Sequence, residues 1–393
     1  MTGTGRAADP SSIFEIGPST GVVLDAVRRA GGVARSALPE MTLLSQQSVH
    51  RIAEDLLARG LLRSDPPTIT GPGKPSPRLS LRPDGAFGLG VAVDTDRVRI
   101  AVVNLVGEVL HRSELTAPPN DRDAVRAAAA EALSDALARL ALPRERVAGL
   151  GVSMQGFRQV RGNAFVPPSP LDGWTSVDVV ATFAPDVDGP VYAENNANLG
   201  AVAELWAGAG RRYDTFAYLS LNHGFGGGLV LGGLPWHGAH GNAAEISSIY
   251  TPAEFADRPA LSGLLEQLRA NGLDVANVSA LRTRYDPAWP AIAAWIARVT
   301  PALAQMIRAL IGIVDPAAVI FGGEAPRDLR HRLIVAAQGE RIDRYGRQIP
   351  GPELVVGEID ADPSVVGAAL MPIRRRLFRI PPTRAETGQT AAP

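Results

Sequence analysis

The front of the fold is decided by residues 45–60, Ser45-Gln46-Gln47-Ser48-Val49-His50-Arg51-Ile52-Ala53-Glu54-Asp55-Leu56-Leu57-Ala58-Arg59-Gly60. Val49, Ile52, Ala53, Leu56 and Leu57 recur at the i, i+3, i+4, i+7, i+8 spacing of one buried helix face. Ser45 is placed to cap this helix and Gly60 to end it. Gln46, Gln47, Ser48, His50 and Arg51 lie off the apolar stripe or at its free N-terminal end. Upstream, Thr20 to Ala30 reads as a helix stopped by Gly31-Gly32. Ser36 is placed to cap a short second helix, with Pro39 in its first turn, where a missing N–H costs little. Downstream, Leu61 to Leu81 reads as two short strands around the Pro/Gly-rich loop Asp65 to Pro77. Three helices followed by a hairpin is the layout of a winged helix-turn-helix.

A DNA-reading helix needs hydrogen-bonding side chains in its N-terminal half, because that end enters the major groove. Gln bonds adenine bidentately and Arg bonds guanine. The candidate contacts are therefore Gln46, Gln47, Ser48, His50 and Arg51, with Lys74 and Arg78 on the wing for phosphate or the minor groove. The other reading of the same pattern is a small protein-interaction domain with a solvated face. Residues 1–82 carry ten basic and seven acidic side chains, whereas the whole chain has a formal charge of −1. A basic head on an acidic body suits an anionic polymer at the head only.

From Phe87 the pattern changes. Gly88 to Leu110 is β-rich, with turns at Asp94–Arg97 and Val106-Gly107. Asp121 to Ala141 is an Ala-rich helix, and Val147 to Met154 a strand. A strand at Val191 precedes a helix at Ala197–Ala207. Thr215 to Leu221 and Gly228 to Leu231 form a strand pair around glycines. Ile292 to Val314 is a long apolar helix, and Ala318 to Phe321 a strand ending at Gly322-Gly323. This alternation argues an α/β body. The residues from Arg374 read as a loose tail.

The chain has 393 residues and 46% hydrophobic residues, enough for several domains and a large core. It has no cysteine, which removes disulfides, Cys-ligated metals and thiol nucleophiles. No apolar run is read as reaching the ~18–20 residues needed to cross a bilayer, and no signal peptide is visible, so a cytoplasmic protein is expected.

Two polar clusters suggest a ligand. Glu194-Asn195-Asn196-Ala197-Asn198 opens a helix after a strand, and its amides suit a polyol because each offers donor and acceptor; helix capping would explain one Asn but not three. Asn222-His223-Gly224-Phe225-Gly226-Gly227-Gly228 is either a backbone cradle for phosphate or a tight hairpin. Glu245, after Gly241-Asn242-Ala243-Ala244, is either a further acceptor for sugar hydroxyls or a surface acid. The spacing of His223, His237 and His240 is no metal motif.

Together these stretches resemble the ROK family of repressors, open reading frames and sugar kinases, in the family's order over roughly residues 20–370. Gly73-Lys74-Pro75 and Leu79-Ser80-Leu81 resemble the wing and linker, and Gly90 to Leu110 the first phosphate hairpin. Gly151 to Gly156 resembles the strand ending in the sugar-side glycine, and Ser169 to Trp174 the proline–tryptophan segment. Glu194 to Asn198 resembles the catalytic stretch, and Asn222 to Gly228 the second phosphate loop. Ala244-Glu245-Ile246 resembles the Gly-Glu-Ile-Gly-His motif, and Asp315 to Gly323 the adenosine side. The resemblance implies a two-lobed actin/hexokinase-like (RNase H-like) body behind the winged helix-turn-helix, with boundaries at 1–82 for the head, 83–196 and 197–372 for the lobes, and 373–393 for the tail.

Against the family's kinases the chain departs at decisive places. Ala92, Asp94, Thr95, Asp96 and Arg97 replace the first hairpin's Asp, two glycines, Thr and Lys, so carboxylates stand where triphosphate would approach. Asn196 replaces the general base, and an amide takes no proton from a hydroxyl at neutral pH. The zinc ligands are replaced by Ser248, Asp257, Pro259 and Leu264, so no metal is expected. Leu43 replaces a turn glycine, and a distorted turn is expected there. The sugar-side set carried over is Gly156, Asn195, Asn196, Glu245 and Glu266. The implied protein is a transcriptional regulator without kinase activity or cofactor, binding double-stranded operator DNA as a homodimer or homotetramer, with a sugar or sugar-phosphate effector and no membrane. The other two readings are an ATP-dependent sugar kinase with an added head and a ligand-independent DNA-binding protein.

Overall fold

The computed structural model describes residues 13–65, 77–159, 162–339, 345–347, 350–360 and 363–378. At the front, α1 (Pro18–Arg29), the two-residue β1 (Val33–Ala34), α2 (Leu38–Thr42) and α3 (Gln46–Ala58) precede β2 (Leu62–Asp65) and β3 (Arg78–Leu81). The three strands form an antiparallel sheet in the order β1-β3-β2. The Ser45 hydroxyl accepts the Ser48 N–H at 3.2 Å and so caps α3. Val49, Ile52, Ala53 and Leu56 are at most 3% exposed, while Leu57 packs at the edge of the core. Each fully buried Val, Ile or Leu side chain contributes about 1.5–3 kcal/mol.

Two local expectations are corrected. Ser36 does not cap α2: it lies in a 3₁₀ turn, and the capping position is Ala37, whose side chain has no acceptor. Leu43 does not distort its turn. It adopts the left-handed conformation a glycine would take (φ 56°, ψ 24°) with its side chain 93% exposed, at a backbone cost of about 1–2 kcal/mol.

The body contains two five-stranded sheets of the same topology. In the first, β4 (Phe87–Val93), β5 (Val98–Asn104) and β6 (Val109–Leu115) form an antiparallel meander. After α4 (Arg122–Arg139), β7 (Val147–Met154) joins β4 in parallel; the small hairpin of β8 (Phe157–Arg158) and β9 (Phe165–Val166) and the short α5 (Val179–Phe183) precede β10 (Val191–Asn195), which joins β7. After α6 (Asn196–Ala207) the second sheet repeats the plan. β11 (Phe216–Leu221), β12 (Phe225–Leu231) and β13 (Leu234–Trp236) form the meander. α7 (Leu261–Ala270), α8 (Val278–Arg284) and α9 (Pro290–Val314) intervene before the parallel strand β14 (Ala318–Gly323); α10 (Arg327–Ala337) leads to β15 (Glu353–Val356). Each parallel addition needs a crossover, and helices supply it. The α/β expectation holds, and the glycines Gly226 to Gly228 lie within strand β12 rather than in a loop.

The last helix, α11 (Pro363–Leu377), overturns the expectation of a tail beginning at residue 373. Ile373 and Leu377 are fully buried and Arg374 is 5% exposed. The helix returns to the first sheet: a side chain on Gly151 of β7 would approach the Ala368 carbonyl oxygen to 2.0 Å, so helix and sheet touch backbone to backbone. Its Val365, Leu370, Ile373 and Leu377 share one core with Val23, Leu24 and Leu56 of the front helices, so head and body are joined by a continuous apolar interior.

By length and composition α9, at 25 residues, is apolar enough to cross a membrane, the one such helix among the described residues. Arg298 and Arg308 interrupt its apolar run, which hid this average in the sequence. Ile292, Trp295, Val299, Leu303, Met306 and Leu310 form its buried stripe and pack into the core of the second lobe, the one-sided burial of a globular core helix.

Candidate functional site

A cleft of about 240 Å³ lies between the lobes, lined among others by Gln155, Gly156, Asn195, Asn196, Asn222, Glu245 and Ser248. Asn195 ends β10 and caps α6: its side-chain oxygen accepts the N–H of Ala197 at 2.8 Å. Its amide nitrogen points the other way, donating to the Gly156 carbonyl at 3.0 Å and to Glu245 Oε1 at 3.3 Å. Gly156 has φ +97°, and a Cβ there would lie 2.1 Å from the Val166 carbonyl oxygen; only glycine fits this conformation and this close approach. Asn196 opens α6 at the cleft wall.

Behind this wall lies Glu194, 3% exposed. It accepts the Asn195 N–H at 2.7 Å and the Asn198 side-chain amide at 3.2 Å, with His237 Nδ1 3.2 Å and Arg158 3.5 Å away. Burial pushes the carboxyl up, but Arg158, His237 and the Asn195 N–H outweigh it and hold Glu194 well below the usual range. Among the described residues no cation offsets the surroundings of Glu245. Burial, with the charge of Glu194 adding, pushes it up to about 7. The sugar-side end therefore presents one ionised carboxylate set back in the wall and one carboxyl poised near neutrality.

Beyond the cleft lining, next to Gln155, the space between the lobes is filled by an ion cluster. Arg97, at the β4–β5 turn, donates to Glu324, just after β14, and to Ser279 Oγ at 2.9 Å on α8. Arg99 donates to Glu324 Oε1 at 2.9 Å and also to Asp94, while Arg282 reaches Glu324 Oε2 at 3.0 Å. Gln155 donates to Asp94 at 3.1 Å and links this cluster to the sugar-side wall. Arg97, Arg99, Asp94 and Glu324 are all under 9% exposed. Burial pushes Glu324 up, but Arg99, Arg97 and Arg282 overcome it, so the carboxyl stays ionised below its usual range. Asp96 beside them is pushed up by burial, and its Oδ2 has no partner. These bonds tie the first lobe to the second.

Of the sugar-side expectations, Gly156, Asn195, Asn196 and Glu245 come together. Glu266 does not: it is on the exposed face of α7, opposite Leu261, Leu264, Leu265 and Leu268, and outside the cleft lining. Leu264, at a family zinc position, is fully buried in the core, and no group of three His, Asp or Glu side chains suits a metal among the described residues. Of the two readings of Asn222–Gly228, the chain forms the hairpin, turning at Asn222–Gly224 between β11 and β12, and Gly224, Gly226 and Gly227 line the cleft. A Cβ on Gly227 would meet Ile246 at 2.9 Å and the Ala244 carbonyl at 3.0 Å, so the glycine admits the loop that carries Glu245.

In the head, Gln46, Gln47, His50 and Arg51 are exposed along one side of α3 and Ser48 is half-buried. Ser48 Oγ pairs with the capping Ser45 hydroxyl at 2.9 Å. His50 Nδ1 meets Arg35 at 3.0 Å, and Arg35 also binds Glu54 at 2.7 Å. Arg78 turns back to donate to the Gly31 carbonyl at 3.1 Å. Lys74 lies outside the described residues. Arg35, Arg158, His237, Asn242 and Glu324 were missed or undervalued in the sequence. His237 lies in an irregular loop, and Asn242 works by bonding both the N–H and the carbonyl of Arg158, which no local pattern announces.

Comparison with known proteins bears on this geometry. The ROK family profile matches residues 88–371. A xylose repressor of Caldicellulosiruptor bescii is 22% identical over 226 residues, covering 57% of this chain and 56% of that one, so the match spans about half of each. Among solved structures, a ROK family transcriptional regulator described as a homologue of the E. coli MLC protein superposes with a TM-score of 0.64 at 20% identity, over 92% of this chain and 96% of that one. A ROK hexokinase from Thermus thermophilus superposes with a TM-score of 0.56 at 22% identity, over 72% of this chain and 97% of that one. The fold is thus common to regulators and kinases.

Proposed function

The chain belongs to the ROK family, and from that premise we propose that it is a transcriptional regulator, most simply a repressor, that binds operator DNA through α3 and takes a sugar or sugar-derived effector in the inter-lobe cleft, without kinase activity. The observation that carries the first half is the division of α3 into two faces. Val49, Ile52, Ala53 and Leu56 of its apolar stripe are in the core, while Gln46, Gln47, His50 and Arg51 face outward over its N-terminal half, the end that enters a major groove. The protein acts in the cytoplasm as a dimer or tetramer, with two such helices spaced by whole turns of DNA.

Three features support the second half. The cleft retains amide and carboxyl groups suited to hydroxyls. Asn196 stands where the resemblance puts a kinase's base, and an amide accepts no proton there. At the phosphate end Asp94 and Glu324 meet Arg97, Arg99 and Arg282, and a cleft of about 240 Å³ suits a small polar ligand rather than a sugar and a nucleotide together.

Genome-wide footprinting of the protein in its own cell identifies the operator. In titrations of that DNA, Gln47→Ala is expected to cost about 1–3 kcal/mol while leaving the head folded, since Gln47 is exposed. Unchanged affinity would remove α3 as the reader. Sugars and sugar phosphates are then titrated against the operator complex. If none alters DNA affinity, the effector half falls and the DNA half stands.

A further inference from the structure

A second and larger cleft, of about 940 Å³, lies where the front helices meet the body. Its walls come from α1 (Asp25, Arg28, Arg29), from Trp206 near the end of α6, and from Arg374 and Arg375 near the end of α11. Four arginines and one carboxylate line it. Asp25 is fully engaged: Arg28 binds it through Nε at 3.0 Å and Nη2 at 2.8 Å, and Arg29 through Nε at 2.7 Å. Arg29 also holds Asp214 at 2.8 Å. Nothing comparable serves Arg374. Its side chain is 5% exposed, lines the cleft, and has no hydrogen bond or ion pair among the described residues. Its guanidinium carbon lies 5.9 Å from the Trp206 ring centroid, and that of Arg28 lies 4.5 Å from the same ring.

A buried guanidinium without a carboxylate is costly unless something supplies the missing charge. Burial and the neighbouring charges of Arg28 and Arg375 push Arg374 down to about 9 against the opposing charge of Asp25, which makes no bond to it, so it still carries its proton at neutral pH while repelled by its arginine neighbours. A dianion with several acceptor oxygens answers both needs, because guanidinium forks match phosphate geometry.

We propose that this head–body cleft binds a phosphate-bearing metabolite or free phosphate through the guanidiniums of Arg374 and Arg28. The site is separate from the inter-lobe cleft and stands whether or not α3 reads DNA. A ligand there touches α1 and α11 at once, so it favours the arrangement in which the head is seated on the body.

The test is a thermal-shift and calorimetric titration of the full chain with inorganic phosphate and with glycerol 3-phosphate, at ionic strength fixed with chloride. A saturable rise in Tm at millimolar concentration or below is expected. Tighter binding of the ester assigns a phosphorylated metabolite, and tighter binding of the inorganic ion assigns free phosphate. Arg374→Met is expected to weaken binding about tenfold or more without lowering Tm in phosphate-free buffer. A purely structural arginine would instead show a lower Tm and an intact phosphate response, and that result overturns the proposal. Arg374→Lys keeps the charge, guards against misfolding and is expected to bind several-fold more weakly; affinity equal to the parent chain contradicts a guanidinium site. Glu245→Gln, in the other cleft, leaves the phosphate response in place. A shift that never saturates, or that survives both Arg374 substitutions, means an adventitious ion only.

Discussion

The two ends of the inter-lobe cleft hold buried carboxyls under opposite conditions. Glu324 has three arginines and stays ionised; Glu245 has an amide and another acid for neighbours and sits near neutrality. At one end charge is neutralised within the protein and the space is closed. At the other, polar groups are held in place but left with capacity for a guest. The lesson is that a cleft inherited by kinases and regulators alike is decided by who satisfies its polar groups, the chain or a ligand.

The largest expected effect comes from breaking the closed end. Glu324→Ala leaves Arg97, Arg99 and Arg282 without their common carboxylate, and loss of one partner from a buried ion cluster costs about 3–5 kcal/mol. Denaturant unfolding should read that loss; a change under 1 kcal/mol, about the value of an exposed pair, would mean the cluster is solvated. At the open end Asn195→Ala removes the α6 cap, worth about 1 kcal/mol, and also a cleft donor. Its expected signature is a small drop in stability with loss of sugar binding in calorimetry; full retention of sugar affinity would move the effector elsewhere. The smallest effect separates the two carboxyls by pH. The Glu245 carboxyl is raised from 4.5 to about 7, so the folded state holds its proton more tightly. That contribution to stability is fully present below pH 4.5 and is lost as pH rises through 7. Glu324 is lowered, so its contribution is present above its unfolded value and is lost as pH falls into strong acid. Glu245→Gln should therefore flatten the stability profile between pH 4.5 and 7 and leave the acid limb unchanged. An unaltered slope in that window would show that Glu245 titrates normally.

The sequence made some of this legible. The α3 stripe, the strand Val147–Met154 and the assembly of Gly156, Asn195, Asn196 and Glu245 rest on local periodicity or on motifs in family order, and local order survives folding. The closed end was half legible: Asp94, Asp96 and Arg97 stood out as departures, but Glu324 did not, because it lies 227 residues from Arg97 and only the sheet topology brings the two together. The end of α11 read as a tail because the sequence from Arg374 is rich in Arg, Pro and Thr. Its burial depends on the flat surface offered by Gly151 and its neighbours, a property of another element. Glu266 misled for the converse reason: a motif match says nothing of which way a helix turns, and α7 turns that position to solvent while its leucines fill the core.

The account rests most on the closed phosphate end and the open sugar end coexisting in one cleft, and ADP release from Mg·ATP across a panel of hexoses, pentoses and amino sugars addresses both at once. No sugar-dependent ADP above the sugar-free background is the expected result, with at least one of the same sugars binding in calorimetry. Stoichiometric, sugar-dependent ADP formation would contradict it.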